Sequence, residues 1–254
     1  MGRIHGGMAG INSVMYYGND KKVKAKRGQD GQIVVKEQRL VPNRFLKIKQ
    51  KLEKIPFVRG AWMIMKTMLM TWKVYLGVLM VFLLQKMSGD LVSSSKAEGL
   101  FTNGLAVFPE QTHHIVTFGS FMLLFAMLVK FTSLGKYHGA EHMVDNAYSQ
   151  TKDLSIENVM NFSRIHNKCG TNLVVFIFMF YSVLYLMMNS ILAILLAFVL
   201  GYEVFILRNK KVNHLLKPIY KLGHAAQYAL FTAQPDKEHV EVAVAAYDGI
   251  VLEK

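Results

Sequence analysis

Two histidines and a glutamate lie close together in the middle of the chain, at His138, Glu141 and His142. If this segment is helical, His138 and His142 are four residues apart and share one face. Two imidazoles at that spacing can hold one metal ion, typically zinc. Glu141 can then act as a general base towards water, since H-x-x-E-H is the inverted form of the zinc-peptidase motif. The alternative is a pair of histidines at a membrane interface beside a solvated glutamate.

Three further side chains can complete a metal site. His166 and Cys169 form an H-x-x-C pair, and a cysteine thiolate suits zinc; the alternative is an ordinary loop histidine and a cysteine at a helix start. Glu203 is the only acid in the apolar run 173–207. A carboxylate inside such a run is a functional hypothesis by default, and the alternative is an ion pair with Arg208. The pattern does not select among the three.

Three apolar runs flank these residues, at 67–85, 115–134 and 173–207. About 20 apolar residues in a helix cross the roughly 30 Å hydrocarbon core of a bilayer. The third run would be about 52 Å long as one helix, so a break near Asn189 and Ser190 is expected. The sequence therefore predicts a mainly α, polytopic membrane protein with four transmembrane helices and a small N-terminal cytoplasmic β-hairpin region.

Charge sets the expected orientation. Of the 254 residues 52% are hydrophobic and only 19% are charged, and the mean hydropathy is +0.24, which argues against a disordered chain and against an ordinary soluble domain. The net charge is nevertheless +13. Residues 1–73 hold 16 Lys and Arg against four acids. The positive-inside rule places both termini in the cytoplasm of a bacterial cell, with the protein in the cell membrane. The single cysteine excludes an intramolecular disulfide.

The expected organisation has three parts. A basic cytoplasmic region, 1–60, contains a hairpin at 22–41, where an Asp-Gly turn joins alternating Val and Lys positions, and then an amphipathic helix that Pro56 interrupts. The transmembrane domain, 61–207, includes the cytoplasmic metal-motif segment 136–172. A cytoplasmic C-terminal region, 208–254, is expected to end in a helix over 238–250; the alternative is a strand, because Glu and Val alternate at 238–244.

Several short motifs along the chain match one known family. They are Tyr137-His138-Gly139-Ala140-Glu141-His142, Glu157-Asn158-Val159, Arg164, His166, Cys169-Gly170-Thr171, Tyr202-Glu203, and near the end Gln227, Thr232, Pro235 and Glu241-Val242-Ala243-Val244. In these residues the chain resembles the YqhQ-like bacterial membrane proteins, a family of unknown function described as metal-dependent enzymes. The resemblance implies a divalent metal and names no substrate. Met8 and Asn12 stand where that family has Gln and Glu, and Met143 where it usually has Lys.

Two classes of function fit these features. The first is a membrane-embedded zinc-type hydrolase with a cytoplasm-facing site, acting on a lipid-linked or membrane-protein substrate; nothing in the sequence chooses between a peptide and an ester bond. The second is a non-enzymatic membrane factor whose basic face binds the ribosome or RNA near the membrane-insertion machinery, with a structural metal or polar cluster. Positive charge beside a span also sets topology and attracts anionic membrane lipid. A transporter is a third reading, and it would need a homo-oligomer.

Overall fold

The computed structural model describes residues 4, 6–40, 52, 54–70, 72, 76, 112–188, 190, 192–207 and 210–251. Two compact units make up the chain. One unit draws on Met1–Arg44, Phe121–Val175 and Asn209–Lys254, and the other on Phe45–Ser120 and Phe176–Arg208.

The first unit begins with a four-stranded antiparallel sheet in the order β1-β2-β3-β4. Its strands are β1 (Gly6–Gly10), β2 (Ser13–Tyr17), β3 (Lys21–Arg27) and β4 (Ile33–Arg39). The hairpin expected at 22–41 is confirmed as β3 and β4, and Gly31 has the positive φ of 81° that its turn requires. The first hairpin was not anticipated. Its two-residue loop contains Asn12 at φ 54°, a conformation that asparagine tolerates.

Helices follow the sheet. They are α1 (Val58–Met70), α2 (His113–Phe131), α3 (Ser133–Thr151), α4 (Ile156–Val159), α5 (Gly170–Met188), α6 (Leu192–Ile206), α7 (Lys210–Leu215), α8 (Lys217–Ala226), a π-helical turn at Gln227–Phe231, and α9 (Lys237–Val251). The expected C-terminal helix is confirmed as α9. Helix α1 begins two residues after Pro56, where the sequence predicts an interruption; positions 47–51 and 53 of the expected amphipathic helix lie outside the described residues.

The core of the first unit lies between the sheet, α3 and α9. Val14, Tyr16 and Val23 cover one face of the sheet and are almost fully buried against residues of both helices. Small residues let α9 approach closely: a Cβ on Gly249 would lie 2.7 Å from Val23 Cγ1. Because one face of α3 is committed to this core, the rotation of α3 about its axis is fixed, and its polar face points elsewhere.

In the second unit α1 packs on α6. A Cβ on Gly60 would come within 3.0 Å of Val199 Cα, so the two helix backbones are in close contact there. Next to this contact the guanidinium of Arg59 donates from Nε to both carboxylate oxygens of Glu203, at 2.9 and 3.0 Å, and the main-chain N–H of Phe57 donates to Oε1 at 2.8 Å. Glu203 is therefore fully engaged inside this unit.

The expectation of four transmembrane helices is wrong. Among the described residues only α5 is long and apolar enough to cross a membrane; the number rises to two if Ile115–Phe131 and Ser133–Thr151, which meet at an 80° bend, count as one broken span. The break expected near Asn189 is present, but it leaves α6 with 15 residues, about 22 Å of helix against a hydrocarbon core of roughly 30 Å. Most of the predicted span 67–85 lies outside the described residues.

Candidate metal centre

Helix α3 carries the polar residues of the site on one side. His138 and His142 are one turn apart as the spacing predicts, with ring centroids 4.5 Å from each other. On the opposite side Ala140, Val144 and Ala147 are completely buried in the core. The helix therefore holds both imidazoles at a fixed position and height.

Each imidazole is oriented by a main-chain carbonyl. His138 Nδ1 lies 3.0 Å from the oxygen of Phe231, and His142 Nδ1 lies 2.7 Å from the oxygen of Arg164. Because a carbonyl oxygen only accepts, both Nδ1 atoms must carry the proton, and both Nε2 atoms keep their lone pair. Such an orienting hydrogen bond is the usual outer partner of a metal-binding histidine.

Burial keeps both rings neutral. Desolvation, followed by the neighbouring His138, lowers the pKa of His142 to about 3. The pKa of His138 is also lowered, chiefly by burial. Neutral imidazole is the form that binds a metal ion, so the two rings need lose no proton to do so.

Cys169 completes a group of three ligand atoms. Its Sγ lies 3.4 Å from His138 Nε2, and the ligand atoms of His138, His142 and Cys169 are all within 4.8 Å of one another. Tetrahedral zinc would separate a cysteine sulfur and a histidine nitrogen by about 3.6 Å, since the two bonds are roughly 2.3 and 2.1 Å long. The donor set and its spacing therefore fit a zinc ion with one position left for water or substrate.

The environment of the Cys169 thiol suits a metal ligand better than a nucleophile. Burial raises the pKa of Cys169 to about 11. The N–H of Thr171 lies 3.4 Å and its hydroxyl 3.3 Å from Sγ, and both contacts favour the thiolate without overcoming burial. A thiol that is protonated at neutral pH is a poor nucleophile, but a metal ion deprotonates it on binding.

The loop that carries Cys169 is held by two side-chain amides, one buried and one half-buried. Gln227 is completely buried, accepts the N–H of His166 at Oε1 (2.9 Å) and donates from Nε2 to the oxygen of the same residue (3.1 Å). Asn146 donates to the oxygens of Ser163 and Ile165. Sequence reasoning assigned Gln227 no role in the site and did not consider Asn146.

A π-helical turn places the carbonyl that orients His138. In Gln227–Phe231 the oxygen of Gln227 receives the N–H and the hydroxyl of Thr232, at 2.9 and 2.8 Å, and the oxygen of Phe231 is left to accept from His138. Single π turns inside helices are frequent at functional sites. Propensity gives no signal for such a turn.

His166 belongs to a second polar group beside the first. Its Nε2 is 3.1 Å from Asp145 Oδ2, and the hydroxyl of Tyr247 donates to Asp145 Oδ1 at 3.1 Å. Burial acts to raise the pKa of Asp145, but the hydrogen bond and charge of His166, together with the hydrogen bond from Tyr247 and the charge of Lys168, outweigh it and the pKa is lowered. Asp145 could have been found from the sequence, since 138, 142 and 145 follow one helical face.

Glu141 lies at the other border of the group, beneath β1. Its carboxyl is in contact with the Cα side of Gly7, where a Cβ would overlap Oε1, and it accepts a hydrogen bond from the N–H of Ala9. Burial, with a smaller effect of the Asp145 carboxylate, raises its pKa to about 8. The hydroxyl of Tyr16 donates to its main-chain oxygen at 3.0 Å and fixes the backbone at this point.

The titratable side chains of the site line one cavity of about 420 Å³, within the range of small-ligand sites: His138, Glu141, His142, Asp145, His166 and Cys169. Its wall includes Gly6, Gly7 and Met8 of the edge strand β1. Of the two departures from the family pattern that fall in the first hairpin, Met8 thus lines the cavity, whereas Asn12 lies in the β1–β2 turn, where its main-chain oxygen accepts the N–H of Arg27. Glu203 is not part of this group: it lies in the second unit with Arg59.

Comparison with known proteins establishes the family. The family model described as "Protein of unknown function (DUF1385)" matches residues 59–253, and the chain belongs to this family. The uncharacterized protein YqhQ of Bacillus subtilis (strain 168) is 30% identical over 128 residues, a match that covers 46% of this chain and 40% of that protein. No solved structure matches the chain. The YqhQ-like resemblance seen in the sequence is thereby confirmed.

Proposed function

We propose that the protein is a zinc-dependent hydrolase in which His138, His142 and Cys169 bind the metal. The observation that carries this proposal is the convergence of three ligand atoms within 4.8 Å, with both histidines already oriented through Nδ1. In the metal-free protein the thiol of Cys169 is within hydrogen-bonding distance of His138 Nε2, at 3.4 Å. A metal ion that displaced this thiol proton would be bound by the sulfur and by the lone pairs of both Nε2 atoms.

In this proposal Glu141 is the general base. A bound zinc ion acts as a Lewis acid that brings the pKa of water towards about 7. The carboxyl of Glu141 lines the same cavity. Burial raises its pKa to about 8 in the metal-free protein; the positive charge of a bound zinc ion would lower that pKa and favour the carboxylate, which is the form that accepts a proton. Its role is to accept a proton from water and to return it to the leaving group.

The first test is metal content. Full-length protein purified without chelator should contain about one zinc per chain by inductively coupled plasma mass spectrometry, and His138→Ala and Cys169→Ser should lose it. Asn161→Ala, at an exposed position at the start of the same loop and outside the cavity, is the matched control. Zinc-free wild-type protein that also fails to take up added zinc would refute the proposal.

Loss of function must then follow the base as well as the ligands. Glu141→Gln should keep zinc and lose the cellular function in a complementation assay, because the amide cannot accept the proton. A Glu141→Gln protein that complements like wild type would remove Glu141 from the mechanism, even if the metal is present.

A membrane location follows in the proposal from α5. Only 28% of its apolar window is buried within the protein, so most of its apolar surface needs cover from lipid. Cys169 directly precedes this helix, so with α5 as a span the metal group would sit near the membrane surface. Carbonate extraction of cell membranes tests this: we expect the protein to stay in the pellet.

A second candidate function is suggested by the outer face of the sheet. Lys22, Lys24 and Lys26 alternate with the buried positions of β3, and Lys36 on β4 lies directly opposite Lys24. Like charges in a cross-strand pair are destabilising, so an anionic partner would stabilise this face.

We propose ribosomal RNA as that partner. The amount of protein that cosediments with ribosomes should fall as the salt concentration rises, and it should also be lower for a Lys24→Gln/Lys36→Gln variant. Wild-type protein that binds anionic lipid vesicles but not ribosomes would overturn this proposal.

A further inference from the structure

The free edge of β1 forms one wall of the cavity that holds the metal-binding group. We infer that the substrate is an extended peptide whose main chain adds to this edge as a further strand. The inference rests on the proposed function and names the substrate class of the same site. Addition of a strand to an exposed sheet edge is a common mode of peptide recognition.

The register shows which groups β1 presents. Gly10 and Ser13 flank the two-residue loop of the first hairpin, and in such a hairpin they form a hydrogen-bonded pair. Hydrogen bonds to β2 then recur at every second residue, so the N–H and C=O of Gly7 and Ala9 point away from β2. The N–H of Ala9 confirms this direction, because it donates to the carboxyl of Glu141.

Gly7 is the position at which a peptide can pair. Within the part of the chain that the structure describes, β1 pairs only with β2, and no other main-chain partner of Gly7 is found. Its N–H and C=O together make the two-bond unit of an antiparallel strand pair. Gly6, Gly7 and Met8 are exposed, so a strand can reach them.

The two edges of the sheet differ in how they are protected. Exposed edge strands usually carry charges, proline or a bulge that prevent pairing with other chains. The opposite edge, β4, follows this rule with Lys36, Glu37 and Arg39. The sequence of β1 is Gly-Gly-Met-Ala-Gly, with none of these features. The unprotected edge is thus the one beside Glu141.

Paired with Gly7, a peptide lies over the carboxyl that contacts that glycine. The reaction is hydrolysis of an amide: the oxygen of water bonds to the carbonyl carbon, and the C–N bond breaks. Glu141 takes one proton from the water and gives it to the departing nitrogen, so the immediate products are a carboxylic acid and an amine. The remaining proton of the water then passes from the acid to the amine, which gives a carboxylate and an ammonium group. An ester is a poorer fit, because its chain lacks the N–H that the C=O of Gly7 would accept.

Binding is measured separately from cleavage. Zinc-loaded, full-length Glu141→Gln is titrated with a fluorescent positional-scanning library of decapeptides, and the tightest binder is remade with a single N-methyl group at each amide in turn. Strand addition predicts losses of about tenfold at alternate residues, since only every second N–H faces β1. The intervening positions are the internal control. Hydrogen exchange should slow at the amide of Gly7 and stay unchanged along β4.

The outcomes separate this inference from the proposed function. Alternating sensitivity with protection at Gly7 supports it, even if wild-type protein cleaves no peptide and the hydrolase proposal fails. Protection on β4 in place of β1, or equal sensitivity at every amide, overturns it. So does a wild-type protein that holds zinc and hydrolyses a soluble ester while no library peptide binds the Glu141→Gln protein.

Discussion

The Nδ1 atom of His142 donates to the main-chain oxygen of Arg164 across a distance of 2.7 Å. The two residues belong to α3 and to the loop that ends at Cys169. This bond therefore does two things: it fixes the tautomer of His142, and it ties the loop that delivers the sulfur to the helix that delivers the nitrogens. Removal of an outer hydrogen bond of this kind typically weakens metal affinity by about 10- to 100-fold.

Gln227→Leu should loosen the cysteine loop. The variant removes both hydrogen bonds to His166 and leaves a buried N–H and C=O with fewer partners, at a cost of about 1–3 kcal/mol for each unsatisfied group. We expect a lower melting temperature and weaker zinc binding in a competition titration with a chromogenic chelator. Gln150→Leu, at an exposed position of α3, is the control. Unchanged zinc affinity in Gln227→Leu would show that the loop needs no clamp.

Zinc binding should release a proton from Cys169. At pH 7 the thiol is protonated because burial raises its pKa to about 11, whereas His138 and His142 are already neutral. Calorimetric titration of zinc in two buffers of different ionisation enthalpy counts the protons. We expect Cys169→Ser to release about one proton fewer than wild type, with lower affinity. Equal proton release in both proteins would argue against a Zn–S bond.

Glu141 should make the metal-free protein less stable in alkaline solution. The ordinary pKa of a glutamate side chain, which applies to the unfolded chain, is 4.5, and the pKa of Glu141 in the folded protein is about 8. Between those values the folded protein holds a proton that the unfolded chain has lost, so folding stability falls as the pH rises. Glu141→Gln removes this slope, and above pH 8 it should be the more stable protein, by at most about 5 kcal/mol.

Thermal melts of the chelator-treated proteins from pH 5 to 9 check this prediction. The titration of His142 is common to both proteins, so the difference in melting temperature isolates Glu141. The exposed Glu157→Gln is the matched control. Curves for Glu141→Gln and wild type that stay parallel across this range would contradict a raised pKa at Glu141.

Arg59→Met should destabilise the second unit. Glu203 is buried, and its carboxylate depends on Arg59 and the N–H of Phe57. Removal of one member of a buried pair leaves an uncompensated charge and costs about 3–5 kcal/mol, an upper figure here because the Arg59 side chain is 22% exposed. The melting temperature, followed by tryptophan fluorescence, should fall in Arg59→Met and recover in part in Arg59→Met/Glu203→Gln. A double variant as unstable as the sum of the two single ones would show that the charges are not coupled.

Local features were within reach of the sequence. The spacing of His138 and His142 places them on one face of a helix because helix geometry is set by neighbouring residues. The same is true of the Asp-Gly turn between β3 and β4 and of the break after α5. The family motifs also identified Gln227 and Arg164 as notable positions, without a role for either.

Long-range features were decided by the tertiary structure. From the sequence, His166, Cys169 and Glu203 were equal candidates for the third metal ligand. Packing brings Cys169 Sγ to 3.4 Å from His138 Nε2. It pairs His166 with Asp145 and Glu203 with Arg59. Among the described residues, fewer helices are long and apolar enough to cross a membrane than the four expected from the sequence. Apolar composition indicates that a segment avoids water, but not whether protein or lipid covers it. Periodicity carries information over one or two turns, whereas the path of a loop and the contacts of a buried amide depend on the whole packed core.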